Sequence, residues 1–243
     1  MTHEINFLEN RPENKLIEAF KKLSVSIISD AQGRYGCLDS SIKPLSASMS
    51  CIGPAFTVQT YRADNLMIHL AIEMAQPGDL LVIDACGFSE TGLWGELMTI
   101  MAQKKELAGI VINGGVRDKM ELIKSSFPVF SRSVCPMGGV KTSPGSINVP
   151  ISCAGVSINP GDIVMGDANG VVAIPSKHTN SVLSHAQKIQ TREKEIIEQM
   201  EQGKTLFNIL ELEKVILKSG KFNLEEYCSD NERLVSLILQ QKS

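Results

Sequence analysis

Arg117 and Asp118 follow directly on Ile110-Val-Ile-Asn-Gly114-Gly115-Val116, so a fixed cation and a fixed anion stand together after an apolar run and a double glycine. Arginine presents a planar fork that grips a carboxylate, and aspartate presents hard oxygens that suit a divalent cation. The pair therefore suits a small anionic, metal-bound substrate. The same dipeptide also serves as a solvated turn, or as a helix start whose acidic residue complements the helix dipole. Glu96 leaves a similar choice open: Gly95 ahead of a helix frees N–H groups for an anion, while Glu96 in the first turn also suits the dipole alone. Lys141, in Gly138-Gly139-Val140-Lys141, reads as a surface lysine, a charge beside the substrate or a Schiff-base amine. Asp167, in Asp167-Ala168-Asn169-Gly170, reads most simply as a turn residue, and Trp94 as core or interface.

These residues need elements to position them. The four apolar residues from Ile110 suit a buried strand. Gly114-Gly115 then lets the chain turn sharply, which puts Arg117-Asp118 on the loop past a strand end, where α/β proteins often carry ligand groups. Helices are expected from Asn14 to Ala31, with Ser24 or Ser26 capping the second, from Leu66 to Ala75, and from Glu96 to Lys105. Cys51 to Tyr61 and Leu80 to Ile83 read as strands, with Gly87 to Gly95 as a loop between the second of these and its helix. A short helix follows Asp118, then Pro128 to Phe130 and a long loop from Cys135 to Asn148. Val149 to Val156 looks extended, Asn159 to Asp162 turns into Ile163-Val-Met165, and Asp167 to Gly170 signals a hairpin into Val171 to Ile174. Pro-Gly-Asp occurs at Pro77 and at Pro160, and both read as turns. Ser176 to about Gln202 is an amphipathic helix with Val182, Leu183, Ala186, Ile189, Ile196 and Met200 on its apolar positions. Phe207, Ile209, Leu210 and Leu234 to Leu239 then need cover from this subunit or a neighbour. Residues 1–175 form the expected domain and 176–243 a helical extension.

Composition narrows the function classes. The chain has 243 residues, 43% of them hydrophobic and 21% charged, which is ordinary for a globular protein with a sizeable core. A net charge of −3 gives no electrostatic case for nucleic acid, which usually calls for a basic patch or stripe. Cys37, Cys51, Cys86, Cys135, Cys153 and Cys228 are scattered without a Cys-x-x-Cys pair, and read as reduced, mostly packed thiols. His3, His69, His178 and His185 lack zinc-type spacing, so a metal is expected on oxygen ligands, as Mg²⁺ or Mn²⁺. The N-terminus lacks the basic start and apolar stretch of a signal peptide, and no apolar run is long enough to cross a bilayer. A soluble, cytoplasmic protein without membrane partners is expected.

Seven segments in register carry a resemblance: Gly95-Glu96-Leu97, Gly114-Gly115-Val116-Arg117-Asp118, Pro128 to Arg132, Gly139-Val140-Lys141, Cys153 to Val156, Asn159 to Asp162, and Asp167 to Val172. From about Ser29 to Pro175 the chain resembles the 4-hydroxy-4-methyl-2-oxoglutarate aldolases, a group that also includes the regulator of ribonuclease E activity A. The resemblance implies an α/β fold, an α-β-β-α sandwich with a C-terminal helical extension, assembled as homotrimers or homohexamers with sites at subunit interfaces. It implies a class II pyruvate aldolase, a lyase that cleaves 4-hydroxy-4-methyl-2-oxoglutarate or 4-carboxy-4-hydroxy-2-oxoadipate through a metal-stabilised pyruvate enolate. Oxaloacetate decarboxylation, which passes through the same enolate, is the implied side activity. By the same resemblance, Asp118 holds Mg²⁺ or Mn²⁺, Arg117 binds the pyruvyl carboxylate and keto oxygen, and Glu96 orients water on the metal. Lys141 lies close by, and backbone amides from Gly95 through Leu97 to Met98 grip the substrate carboxylate. The family often has aspartate where Glu96 stands, and Glu193 or Glu195 is a candidate for completing a neighbour's site.

Two other classes compete. A non-catalytic regulator of a ribonuclease or helicase belongs to the same group, but Lys141 and the long C-terminal region favour the enzyme. An S-adenosylmethionine-dependent methyltransferase finds no support, because no glycine-rich nucleotide loop with a following acidic residue occurs.

Overall fold

In the computed structural model, residues 3–219 are described; Cys228 and Leu234 to Leu239 lie outside that range. Two helices open the fold, α1 (Asn14–Phe20) and α2 (Val25–Ala31), and the Ser24 hydroxyl caps α2 by accepting from the Ile27 N–H at 3.3 Å. Strands β1 (Lys43–Pro44) and β2 (Cys51–Gln59) lead to α3 (Leu66–Met74) and β3 (Leu80–Asp84). Next come β4 (Gly92–Trp94), α4 (Glu96–Lys104), β5 (Gly109–Val116), α5 (Lys119–Ser125) and β6 (Val129–Val134). The remaining strands are β7 (Ser146–Ile147), β8 (Ile151–Cys153), β9 (Val156–Ile158), β10 (Ile163–Asp167) and β11 (Gly170–Ile174). After a single 3₁₀ turn come α6 (Thr179–Glu201), α7 (Leu206–Ile209) and α8 (Leu212–Ser219).

Alternation along the strands builds four layers. The main sheet runs β1-β6-β5-β3-β2-β10-β11, with β4 added beside β5 and β7 beside β2. Strands β2, β3, β5 and β6 are parallel, and the register aligns Phe56, Leu81, Ile110 and Val129. That row packs with Met67, Ile68, Ala71, Met98, Ala102 and Leu122 of α3, α4 and α5. The adjacent row, Val82, Val111 and Phe130, faces the other way and meets Val164 of β10 and Val171 and Ala173 of β11 in an inner core. Ile163, Met165, Val172 and Ile174 point outward from β10 and β11 onto Phe20, Ile28, Val182 and Ala186. The result is the expected α-β-β-α sandwich, with β2 serving both sheet halves and the end strands β1 and β11 near each other.

Three expectations need correction. Gly114-Gly115 is not a turn but part of β5. Its glycines answer crowding: a Cβ on Gly115 would lie 2.6 Å from the Thr91 carbonyl oxygen and 2.9 Å from Ser133 Oγ, and one on Gly114 would lie 3.0 Å from Ala85 Cβ. The turn comes later, at Asp118 in the left-handed region (φ 58°). The Gly87 to Gly95 segment contains β4, which a run of three residues could not announce, and the Cys135 to Asn148 loop contains β7. Both Pro-Gly-Asp triplets are turns with a left-handed glycine (φ 84° at Gly78 and Gly161), and Asp79 and Asp162 accept from the N–H groups of Gln76 and Asn159.

Compact unit 1 spans Met1–Ile189; the second begins at Gln190 and holds the rest of α6 with α7 and α8, where Glu193 and Glu195 are both exposed. Within unit 1, Arg11 clamps the N-terminal strap to the turn before β3: Nε and Nη2 reach the two Asp79 oxygens at 2.8 Å each, and the Asp79 side chain is fully buried. Arg11→Ala strands that carboxylate without its counter-charge and is expected to cost about 3 kcal/mol, read from urea denaturation midpoints, whereas Lys21→Ala at an exposed pair is expected to change stability by less than about 0.5 kcal/mol.

Candidate active site

Parallel pairing of β4 with β5 brings Gly92 beside Gly115 and Trp94 beside Val116, so the two strands end together. The Arg117 N–H donates to the Trp94 carbonyl at 2.9 Å, which fixes where the arginine leaves the sheet. The Asp118 side chain does not cap its own helix α5; its Oδ2 instead accepts from the Glu96 N–H at 3.1 Å, at the start of α4. The side chains of Arg117 and Asp118 lie 3.5 Å apart, Nε to Oδ2, and both are partly exposed. Gly95 makes this arrangement possible. Its backbone is extended (φ −156°), so conformation does not demand glycine, but a Cβ would stand 2.5 Å from Asp118 Oδ2 and 3.1 Å from Arg117 Cγ. Glycines also wall Arg117 on its other sides: a Cβ at Gly92 would meet Arg117 Cβ at 2.8 Å, and one at Gly138 would meet Nη1 at 2.7 Å.

A cleft of about 150 Å³ opens here, lined by Gly95, Glu96, Leu97 and Met98 of the α4 start, by Arg117 and by Lys141. It has room for a small organic acid. The first N–H groups of α4 have no partner inside the helix, and the helix dipole favours negative charge there. Asp118 borders this group through its bond to Glu96. Thus five of the sequence-derived positions share one cleft with Lys141, and Asp118 abuts it. Asp167 lies elsewhere, closing the β10–β11 hairpin and accepting from the Val25 N–H at the start of α2 at 3.0 Å. Trp94 is buried, stacked on Phe127 and hydrogen-bonded through Nε1 to Thr99 Oγ1 at 2.7 Å, so only its main chain serves the site.

Sequence reading missed Asp64, Asn65 and His69. Asn65 and His69 line the cleft from α3, one turn apart. The signal was present as Asp64-Asn65 ahead of a helix, two capping types where one suffices. Asp64 does the local work, accepting from the Leu66 N–H at 2.8 Å through Oδ1. Through Oδ2 it also accepts from the N–H groups of Thr142 and Ser143 at 2.8 and 2.7 Å, and so holds the loop that carries Lys141. Burial pushes the Asp64 carboxyl up, but the N–H donors of Leu66, Thr142 and Ser143 and the Thr142 hydroxyl outweigh it and hold the pKa below the usual range. His69 is lowered by burial first and by the Lys141 charge second, which favours a neutral imidazole near pH 7.

A resident metal would have to suit this donor set. Among the described residues no group of three or more His, Cys, Asp or Glu converges as a closed cage. One carboxylate at a cleft that also admits substrate oxygens and water fits a hard cation such as Mg²⁺ or Mn²⁺, which commonly takes one or two carboxylates and completes its shell from solvent and ligand. No helix among the described residues is long and apolar enough to cross a membrane.

Known proteins match this chain along most of its length. The RraA-like family described as Aldolase/RraA covers residues 25–173. A Halalkalibacterium halodurans protein named "Putative 4-hydroxy-4-methyl-2-oxoglutarate aldolase" is 40% identical over 181 residues, 74% of this chain and 86% of that one. A solved structure of an uncharacterized Pseudomonas syringae pv. tomato protein aligns with a TM-score of 0.74 at 27% identity, covering 82% of this chain and 98% of its own. Streptomyces coelicolor RraAS2, described as an unusual member of the RNase ES inhibitor RraA family, aligns with a TM-score of 0.69 at 26% identity, over 76% of this chain and 96% of its own.

The Asp64 anchor makes stability depend on pH in a defined direction. A carboxyl whose folded pKa is depressed contributes fully above its unfolded pKa of about 3.9 and loses that contribution as pH falls through the lower folded value. Urea denaturation is expected to show Asp64→Asn well below the parent protein in stability at pH 6, with the gap narrowing below about pH 4. A gap independent of pH contradicts the anchor.

Proposed function

The chain belongs to the RraA-like Aldolase/RraA family, and on that premise we propose that it is a divalent-metal-dependent pyruvate aldolase, a carbon–carbon lyase acting on a 4-hydroxy-2-oxo acid. 4-Hydroxy-4-methyl-2-oxoglutarate or 4-carboxy-4-hydroxy-2-oxoadipate is the proposed substrate, with oxaloacetate decarboxylation as a side activity. The observation that carries this reading is one cleft in which Arg117 and the open N-terminus of α4 share a wall with Lys141, and which Asp118 abuts through its bond to the Glu96 N–H.

Cleavage breaks the C3–C4 bond. The 4-hydroxyl loses its proton, C4 becomes a carbonyl, and the bonding pair moves into the pyruvyl half as an enolate, which takes a proton at C3 to give pyruvate. From 4-hydroxy-4-methyl-2-oxoglutarate both halves leave as pyruvate. The Arg117 guanidinium donates to the 2-oxo and carboxylate oxygens, where negative charge develops, and so stabilises the transition state more than the ground state. The N–H groups of Leu97 and Met98 at the start of α4 hold the substrate carboxylate. Glu96 receives the 4-hydroxyl proton through water and returns it toward C3. Lys141 adds positive charge at the cleft wall. Asp118 would hold Mg²⁺ or Mn²⁺, which when bound supplies Lewis-acid polarisation of the same oxygens.

We also propose a homotrimer or homohexamer. Leu97, Met120, Met137 and Val140 are all more than half exposed and flank the segments that form the cleft, a pattern expected of a surface that a second copy covers. The regulator reading draws support from the likeness to RraAS2 and predicts a folded oligomer without lyase activity.

Pyruvate release from 4-hydroxy-4-methyl-2-oxoglutarate and from oxaloacetate, coupled to lactate dehydrogenase, is expected with Mg²⁺ or Mn²⁺ and is expected to vanish with EDTA. Absence of release from both substrates in a folded oligomer favours the regulator. Asp118→Asn keeps a residue type that tolerates the left-handed backbone but removes the charge. It is expected to lower kcat/KM by at least about 100-fold, as is Arg117→Ala, each with little change in melting temperature. Gly95→Ala should lower activity comparably, because the added methyl displaces the Asp118 carboxylate. Lys141→Ala is expected to reduce turnover without abolishing metal binding measured by calorimetry, and a borohydride-trapped adduct on Lys141 contradicts the metal mechanism.

A further inference from the structure

A helix cap needs one acceptor oxygen, which serine or threonine supplies without a charge. Asp64 brings two oxygens on a carboxylate, in a residue only 1% exposed. Its Oδ1 does the capping work at the start of α3, accepting from the Leu66 N–H at 2.8 Å. Its Oδ2 reaches another element and accepts three times, from the Thr142 N–H at 2.8 Å, the Ser143 N–H at 2.7 Å and the Thr142 hydroxyl at 3.2 Å. Burying a charge is costly unless hydrogen bonds satisfy it, so the second oxygen has to be explained by what it holds. The main chain of Asp64 is itself fixed just past the end of β2. Its N–H donates to the Tyr61 carbonyl at 3.2 Å, and its carbonyl accepts from the buried Thr60 hydroxyl at 2.7 Å.

What it holds is the second half of a long loop. Residues 135–145, between β6 and β7, belong to no helix or strand, and the exposed Lys141 among them lines the cleft. The bonds that tie this half to the start of α3 fall on either side of Lys141. Before it, the Val140 N–H donates to the Ala63 carbonyl and the Asn65 N–H to the Val140 carbonyl, each at 2.9 Å. After it come the three bonds to Asp64. The chain then meets β2 at the buried Gly145, where a Cβ would overlap the Gln59 carbonyl oxygen. Asn65 and His69, at the start of α3 and one turn on, line the same cleft. One carboxylate therefore ties two parts of the cleft wall together, and the Lys141 charge comes close enough to His69 to lower the imidazole pKa.

We infer that Asp64 is a positioning residue for the lyase reaction that acts through Lys141: its second oxygen holds residues 142 and 143, and so keeps the Lys141 ammonium at the cleft wall. This rests on the aldolase reading above. Lysine is a point charge on a flexible four-carbon stem, so its place is set by the backbone that carries it. Stabilisation of developing charge depends on fixed distances, and a small displacement of a charged group costs rate steeply. Such a role is distinct from the contribution of the same carboxylate to stability. Once Lys141 is gone, removal of the Asp64 carboxylate has no further effect on the rate, whereas a merely structural residue loses activity with or without the lysine.

Asp64→Ser separates the two oxygens: the hydroxyl still accepts from the Leu66 N–H but is too short to reach the loop. At a temperature where circular dichroism shows the variant fully folded, its kcat/KM for 4-hydroxy-4-methyl-2-oxoglutarate is expected to fall at least about tenfold. With Lys141→Ala added, kcat/KM is expected to match Lys141→Ala alone within about twofold. Losses that multiply in the pair, or no loss in Asp64→Ser, overturn the inference and leave the aldolase reading intact. Thr142→Val trims the same contact from the loop side and leaves the buried carboxylate in place, which guards against a folding defect. Its smaller loss is likewise expected to vanish in Lys141→Ala, and a loss that persists there overturns the inference. Hydrogen exchange on the unaltered protein needs no activity: the Thr142 and Ser143 amides are expected to exchange at least about 100-fold more slowly than in an unfolded chain. Unprotected amides in an active protein bring down this inference alone. Protected amides in a protein inactive on both 4-hydroxy-4-methyl-2-oxoglutarate and oxaloacetate bring down the aldolase reading, and the role of Asp64 in it.

Discussion

The Asp118 carboxylate meets the main-chain N–H of Glu96 across Gly95, and the candidate site depends on that contact. It joins the end of β5 to the start of α4 at 3.1 Å, and it exists only because residue 95 has no Cβ, which would stand 2.5 Å from Asp118 Oδ2. Main-chain bonds reinforce it, from the Arg117 N–H to the Trp94 oxygen and from the Gly92 N–H to the Met137 oxygen. The ion pair between Arg117 and Asp118 is long and partly exposed, and such pairs contribute little to stability. Backbone geometry and glycine-sized gaps hold the arginine in place, which leaves its guanidinium edge for a ligand.

Two helix starts give up local stabilisation around this cleft. Asp118 and Asn65 sit at the N-caps of α5 and α3, and neither side chain caps its own helix. A good cap contributes about 1 kcal/mol, so a side chain that turns away must do something else. The contrast lies within the same chain. Asp79 and Asp162 accept from their own turns, Ser24 and Thr205 cap their own helices, and Asp64 caps α3 in place of Asn65. Where capping residues behave locally the structure is scaffold; Asp118 and Asn65 instead bond across to neighbouring elements, to the Glu96 N–H and the Leu93 carbonyl oxygen.

The layers beneath the site follow from simpler rules. Parallel strands β2, β3, β5 and β6 are apolar on both faces because helices cover one and β10–β11 the other. The open N-terminus of α4, which follows β4 directly, then falls beside the carboxyl end of β5, where doubly covered sheets present their ligand groups.

Much of this was legible in the residues themselves. Periodicity located the principal helices and strands, turn chemistry located both Pro-Gly-Asp turns and the β10–β11 hairpin, and residue type picked out Gly95, Glu96, Arg117, Asp118 and Lys141. These signals are local: each depends on neighbours a few positions away, so the chain itself carries them. What only the tertiary structure decided is non-local. Gly114-Gly115 proved to be a crowded strand and not a turn, because the atoms that exclude a side chain there come from Ala85, Thr91 and Ser133. β4 and β7 are too short to have a period and exist because β5 and β2 offer them an edge. Asn65 and His69 joined the cleft, and Asp64 came to anchor its Lys141 loop, because their partners, Leu93 and the 140–143 loop, are distant in sequence and adjacent in space. A linear pattern can name the residue types able to do chemistry, but which of them face one another is set by the packing of elements that meet only when the chain folds.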